Sequence, residues 1–171
     1  MEGCPIVTTG TAAIPRHALL VCEPFTARLN AARVAGAITA GLLAAGAPSP
    51  DALALPSYSS GGETGMLLGR EGFDGRMRAA RAVVLAVAAL SEDTLAGSAA
   101  FEVATRARQS GVPCYAIAAA SELGSFDLRI LDLQVVLEAR GAAGLRNAGE
   151  RLATLLGGQR ALSAGSPDTR T

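Results

Sequence analysis

Residues 82–90 read AVVLAVAAL, nine residues without one polar side chain. The run is far too short to cross a bilayer, which takes about 20 apolar residues. It does not alternate apolar with polar, so neither face is meant for water. A short continuous apolar run of this kind predicts a strand buried on both faces, the signature of a parallel sheet covered by helices.

The same pattern recurs on either side. HALLVCE at 17–23 is a compact apolar run bounded by Pro15 and Pro24. DALALP at 51–56, VPCYAIAAA at 112–120 and QVVLEA at 134–139 complete a set of five expected strands. Helical spacing fills the gaps. Val34, Ile38, Leu42 and Ala45 share one face, with Asn30 as N-cap and Gly46 as the stop. In 98–111, Phe101, Val103 and Ala104 are expected inward and Glu102, Arg106 and Gln109 outward. Ser98 caps that helix and Gly111 ends it. The last helix is expected over 142–156, with Leu145, Ala148, Leu152 and Leu155 on its inner face. The segment 66–80, broken by glycines, predicts a short helix plus a loop, and 123–133 predicts a short helix.

Alternating strands and helices imply an α/β fold. It is an open, mostly parallel sheet of about five strands with helices on both faces, a doubly wound Rossmann- or flavodoxin-like core. One domain is expected over 17–156, with a loose arm at 1–16, a short strand within that arm at 6–8, and a disordered tail at 157–171.

Composition narrows the function. Fifteen basic and fifteen acidic residues balance, with no basic run, which argues against nucleic acid as a partner. Every basic residue is arginine, so there is no lysine for a Schiff base or a phosphate loop. Cys4, Cys22 and Cys114 are isolated and predict buried thiols in a reduced, cytoplasmic protein. His17 is the sole histidine, so no histidine metal cluster can form, and it has no partner serine or cysteine at a recognisable triad spacing. The start of the chain lacks the basic end and apolar centre of a signal peptide, and no stretch predicts a membrane span.

In doubly wound folds the ligand crevice lies beyond the carboxyl ends of the strands. That rule selects the loops at 23–30, 56–63, 88–94 and 119–125. The second reads PSYSSGGE. Ser60 followed by Glu63 is a capping box, while the backbone N–H groups of Gly61 and Gly62 suit an anion at a helix start. The two readings are compatible. In the first loop, Glu23, Thr26 and Arg28 are candidates, Arg28 for pairing with an anionic substrate or for a plain surface role. In the third, Glu92, Asp93 and Thr94 either hold Mg²⁺ or favour the start of the next helix.

Four segments taken in order resemble the bacterial-type glycerate kinase family. VCEPFTARLNAARVAGAITAGL is similar to the family's first motif, with Phe25, Leu29, Ala31, Val34, Ala35, Ala37, Ile38 and Gly41 matching. LPSYSSGGETG is similar to the family's L-P-x-A-D-G-G-E-G-T through Leu55, Pro56, Gly61, Gly62 and Glu63. The later stretch AVAALSEDTLAGSAAFEVATRARQSGVPCYAIA keeps Thr94, Leu95, Gly97, Val103, Ala104, Gly111, Val112 and Pro113 in register. The family chain is longer by a second domain. That domain is missing here between about 68 and 80, where only a short bridge stands.

The resemblance implies ATP-dependent phosphorylation of glycerate, with ATP and Mg²⁺ as cofactors. Its catalytic positions fall on Glu23 and Glu63, and its substrate or phosphate contacts on Thr26, Arg28, Ser60, Gly61, Gly62 and Thr94. The departures fall where the chemistry would be. The family's first aspartate and lysine correspond to Glu23 and Thr26, its aspartate before G-G-E to Ser60, and its acidic third motif to the uncharged residues 86–91. Phosphoryl transfer rests on charge neutralisation and positioning, so losing one such group costs roughly 10²–10³ in rate. The expectation is therefore a one-domain member, catalytically impaired or inactive. The alternatives are a module that binds a small anion or a protein, whether a separate chain or a second copy, and an active kinase using Glu23, Glu63, Glu92 or Asp93 in new roles. An alanine-rich surface is expected where the missing domain would sit, which would suit a homodimer.

Overall fold

The computed structural model describes residues 17–56, 62–92 and 97–163. The strands are β1 (Ala18–Cys22), β2 (Asp51–Ala54), β3 (Ala82–Leu90), β4 (Cys114–Ser121) and β5 (Leu133–Glu138). The helices are α1 (Ala31–Ala44), α2 (Gly62–Arg70), α3 (Phe73–Ala79), α4 (Ala99–Gln109), α5 (Ser125–Ile130) and α6 (Gly141–Ser163).

The five strands form one sheet in the order β2-β1-β3-β4-β5, and all four pairings are parallel. The central strands β1 and β3 pair Leu20 with Val84 and Val21 with Leu85. Because side chains alternate across a strand, the run at 82–90 feeds two cores at once. Leu19, Val21, Val83 and Leu85 pack with Leu68, Phe73, Met77 and Val103 on the face of α2, α3 and α4. Leu20, Val84 and Ile117 pack with Val34, Ile38, Leu145 and Leu152 on the face of α1 and α6. The α/β reading and the helices on both faces hold.

Caps and stops follow the local chemistry. Arg33 N–H donates to Asn30 Oδ1 at 2.9 Å, and Gly46 after α1 has φ 76°. Phe101 N–H donates to Ser98 Oγ at 3.2 Å, and Gly111 after α4 has φ 68°. Gly72, at φ 65°, splits the 66–80 segment into two helices where the sequence predicts one short helix and a loop.

Four packing expectations change. Phe101 is exposed, because the buried stripe of α4 runs through Ala100, Val103, Ala104 and Ala107, one helical step away. Glu102 and Arg106 are half-buried, since α2 and α3 pack against them. Ala45 is the exposed C-cap of α1 and does not join its buried face. The last helix buries Leu156 more deeply than Leu155 and continues to Ser163, through the first residues of the expected tail. The arm at 1–16 with its strand at 6–8, and the end at 164–171, lie outside the described residues. The surface at 69–79 is not alanine-rich: Arg70, Glu71 and Arg78 are exposed there.

Candidate functional site at the carboxyl end of the sheet

At the carboxyl end of the sheet the chain leaves β1 towards α1 on one face, and leaves β3 towards α4 on the other. Adjacent strands that send their helices to opposite faces open a crevice between them, where doubly wound proteins take ligands. Glu23 stands at that point. Its backbone N–H continues the β1–β3 ladder by donating to Ala86 O at 2.8 Å, and one bond away Leu55 N–H donates to Cys22 O at 2.8 Å. The side chain is half-buried. Burial pushes its carboxyl above the usual range, because partial dehydration disfavours the charged form.

The chain then turns tightly. Phe25 N–H donates to Leu29 O at 2.9 Å, and Leu29 N–H donates to Thr26 O at 3.1 Å and to Thr26 Oγ1 at 3.0 Å. Thr26 thus has a structural task, accepting from the backbone to hold the loop closed. Arg28 is exposed at the tip, and its carbonyl accepts from Arg33 Nη1 at 3.0 Å. The crest therefore brings Glu23, Thr26 and Arg28 into one short loop.

Glu63 is exposed in the first turn of α2, which Gly62 opens. Glu92 is exposed just past β3. Ser60, Gly61, Asp93 and Thr94 lie outside the described residues, and with them the capping box and the Glu92–Asp93 pair. Among the described residues no group of three or more His, Cys, Asp or Glu is placed to hold a metal ion. The last turn of β3 at the crest offers Val87, Ala88 and Ala89, backbone and hydrocarbon only. Cys22 and Cys114 are buried free thiols, each pushed up to about 12 chiefly by burial, and are inert as nucleophiles.

Two features escape a reading of the sequence. Arg106 ties three helices together: it donates to Glu102 Oε1 at 2.7 Å on its own helix, to Asp74 Oδ2 at 3.2 Å on α3, and to Gly65 O at 3.4 Å on α2. Burial alone would lower its pKa, but Glu102 and Asp74 raise it overall. The Glu102–Arg106 spacing of four is the only sequence signal for it. The second is a depression of about 200 Å³ at the opposite, amino end of the sheet, lined by Ala18, Leu42, Gly46, Pro48, Arg81 and Leu156 among others. Arg81 donates there to the Leu156 carbonyl. Topology, rather than the size of a hollow, singles out the crest.

No helix among the described residues is long and apolar enough to cross a membrane. No family model matches the chain, and no curated protein matches it. Solved structures do. A putative pilus assembly-related protein from Burkholderia pseudomallei K96243 is 17% identical over 82% of this chain and 91% of its own, at a TM-score of 0.44. A phosphoheptose isomerase from Francisella tularensis is 18% identical over 82% of this chain and 73% of its own, at a TM-score of 0.33. At such scores neither likeness bears on what this chain does. The fold and its crest define a class: a single-sheet, parallel α/β domain with a carboxylate at its topological switch point.

Proposed function

We propose that the chain is a one-domain relative of glycerate kinase that keeps a binding site for a small hydroxylated organic acid and has lost phosphoryl transfer. The observation that supports this most is Glu23, a half-buried carboxyl with a raised pKa at the switch point. A partly dehydrated carboxyl is unfavourable for folding, and such groups cluster where a ligand uses them. Glu23 accepts a hydrogen bond from a ligand hydroxyl. The start of α2, the positive end of its dipole, receives the ligand carboxylate. Loss of transfer rests on the absence of lysine from the chain and on the uncharged end of β3.

The test is a calorimetric titration with D-glycerate and with phosphoglycerate, paired with a coupled ATP–Mg²⁺ turnover assay. The expected result is saturable heat from at least one acid, lost in Glu23→Ala, with no turnover. Turnover that disappears in Glu63→Gln would restore an active kinase. No binding of either acid at millimolar concentration would end the binding reading.

A further inference from the structure

Three arginines among the described residues are half-buried: Arg76, Arg81 and Arg106. Two of them meet carboxylates. Arg76 covers the edge strand β2, donating from Nε and Nη2 to the two oxygens of Asp51 at 2.7 and 2.6 Å, and from Nη2 to Ala52 O at 2.8 Å. Arg106 donates to Glu102 and to Asp74. Arg81 pairs with no carboxylate among the described residues. Its guanidinium donates through Nη2 to a backbone acceptor, the Leu156 carbonyl of α6. A guanidinium carries five N–H donors and a full charge, so most of its bonding capacity is left over. A partly dehydrated cation without a counter-charge is unfavourable, and an anion that reaches it removes that cost.

The surroundings say which anion. Arg81 immediately precedes β3, and its own N–H donates to His17 O at 3.0 Å. Its backbone is thereby pinned between β1 and β3 at the amino end of the sheet, the far end from Glu23. The depression of about 200 Å³ that Arg81 lines is walled by Leu42 of α1, by Ala153 and Leu156 of α6, and by Ala47 and Pro48 after α1. These side chains are hydrocarbon throughout. The carboxyl end of α1 also lies here, and a helix end of that sign disfavours an anion. Its last carbonyls are already engaged, however. Ala45 N–H donates to Gly41 O, Gly46 N–H to Leu43 O and Ala47 N–H to Leu42 O. One cation beside an apolar wall suits a ligand with one negative charge and a hydrocarbon tail. A second charge, or several hydroxyls, would lose water against hydrocarbon without return.

We infer that this depression binds a short-chain monocarboxylic acid, its carboxylate on Arg81 and its chain along Leu42, Ala153 and Leu156. Neighbouring guanidinium N–H groups match the two oxygens of a carboxylate. A dry cavity of about 150 Å³ admits benzene, so the space here sets the chain at roughly four to six carbons. The site is separate from the crest, at the opposite end of the sheet, and does not depend on what Glu23 binds.

The test is an NMR titration of the nitrogen-labelled full chain with hexanoate, and in parallel with hexanol and inorganic phosphate. Hexanoate is expected to saturate at millimolar concentration, shifting the amides of 42–47 and 153–157 and leaving those of 23–29 in place. Hexanol and phosphate are each expected to bind at least about tenfold more weakly. Arg81→Gln is expected to weaken hexanoate by at least about tenfold, to the level of hexanol. Ala153→Leu keeps Arg81, fills the wall from a half-buried helical position, and should cause a similar loss. If Arg81→Gln does not fold, Ala153→Leu and the three probes decide. No saturable shift in the wild type overturns the inference. So does phosphate binding as tightly as hexanoate, which would mean a bare cation without a pocket. Shifts centred on 23–29, or hexanoate binding that survives Ala153→Leu, overturn it by placing the acid elsewhere.

Discussion

Gly41 and Gly149 set how closely α1 and α6 approach. A Cβ on Gly41 would overlap the Arg146 carbonyl, and one on Gly149 would overlap the Ile38 carbonyl, both immovable backbone. Gly36 lies in the same helix as Gly41, and a methyl added there would meet nothing within 4 Å. Gly41→Ala should therefore cost at least about 3 kcal/mol, at the upper end of overpacking penalties. Gly36→Ala should gain roughly 0.5–1 kcal/mol from helix propensity. Thermal unfolding of the two variants checks both signs. Gly41 is visible in the sequence only as a position shared with a family motif; its reason is a neighbour more than a hundred residues away.

Glu23 carries a second prediction at this scale. Its folded pKa is raised, so the folded state holds its proton more tightly than the unfolded chain. Stability from this group is fully present below the ordinary glutamate pKa of about 4.3 and is lost as pH rises through the raised one. Glu23→Gln should then raise the melting temperature at pH 7 and leave it nearly unchanged at pH 4. Equal shifts at both pH values would mean that the carboxyl is not dehydrated. The residue type and its loop are legible from the position beyond a strand's carboxyl end. Its dehydration is not, because burial depends on how the fold closes around the end of β1.

At the scale of elements, the β2 edge depends on one side chain. The hydrogen bond from Arg76 holds the Asp51 carboxyl below the usual range, opposed by partial burial. The pair is partly solvated, with 27% and 36% of the two side chains exposed, so its worth is discounted towards that of a surface bridge. Arg76→Ala should cost about 1 kcal/mol at pH 7, the bidentate geometry placing it at the top of that range. That contribution is present above the ordinary aspartate pKa and fades as pH falls through the lowered one. Urea unfolding at pH 7 and pH 3 reads the difference. The same substitution uncovers Ala52 O and should increase association at high concentration. Helix α4 shows what periodicity alone leaves open. Val103 and Ala104 face inward as their spacing predicts, yet Phe101, the largest apolar side chain in the helix, stays out. Size and polarity name a residue that prefers burial, but the direction of the helix over the sheet decides which face is covered.

For the whole molecule, β1, β3 and β4 are shared walls of two cores, so neither layer can loosen alone. Leu152 on one face and Phe73 on the other are both fully buried. Leu152→Ala should cost about 2–5 kcal/mol and Phe73→Ala about 3–5 kcal/mol. Each should lower one and the same calorimetric transition. Two separate transitions would show that the layers unfold independently.

The sequence by itself determined the α/β class, the number of strands, the parallel direction of the sheet and the caps at Asn30 and Ser98. These depend on runs and spacings within a few residues, and a run such as 82–90 has no stable home except between two helical layers. It also limits which side chains are at hand, with no lysine and one histidine in these 171 residues. Only the tertiary structure decided the strand order, the contact at Gly41 and Gly149, the Arg106 clamp across three helices, the burial of Glu23, and which sheet edge is shielded. Each of these depends on groups distant in the chain meeting in space, and a one-dimensional pattern carries their identities without their distances.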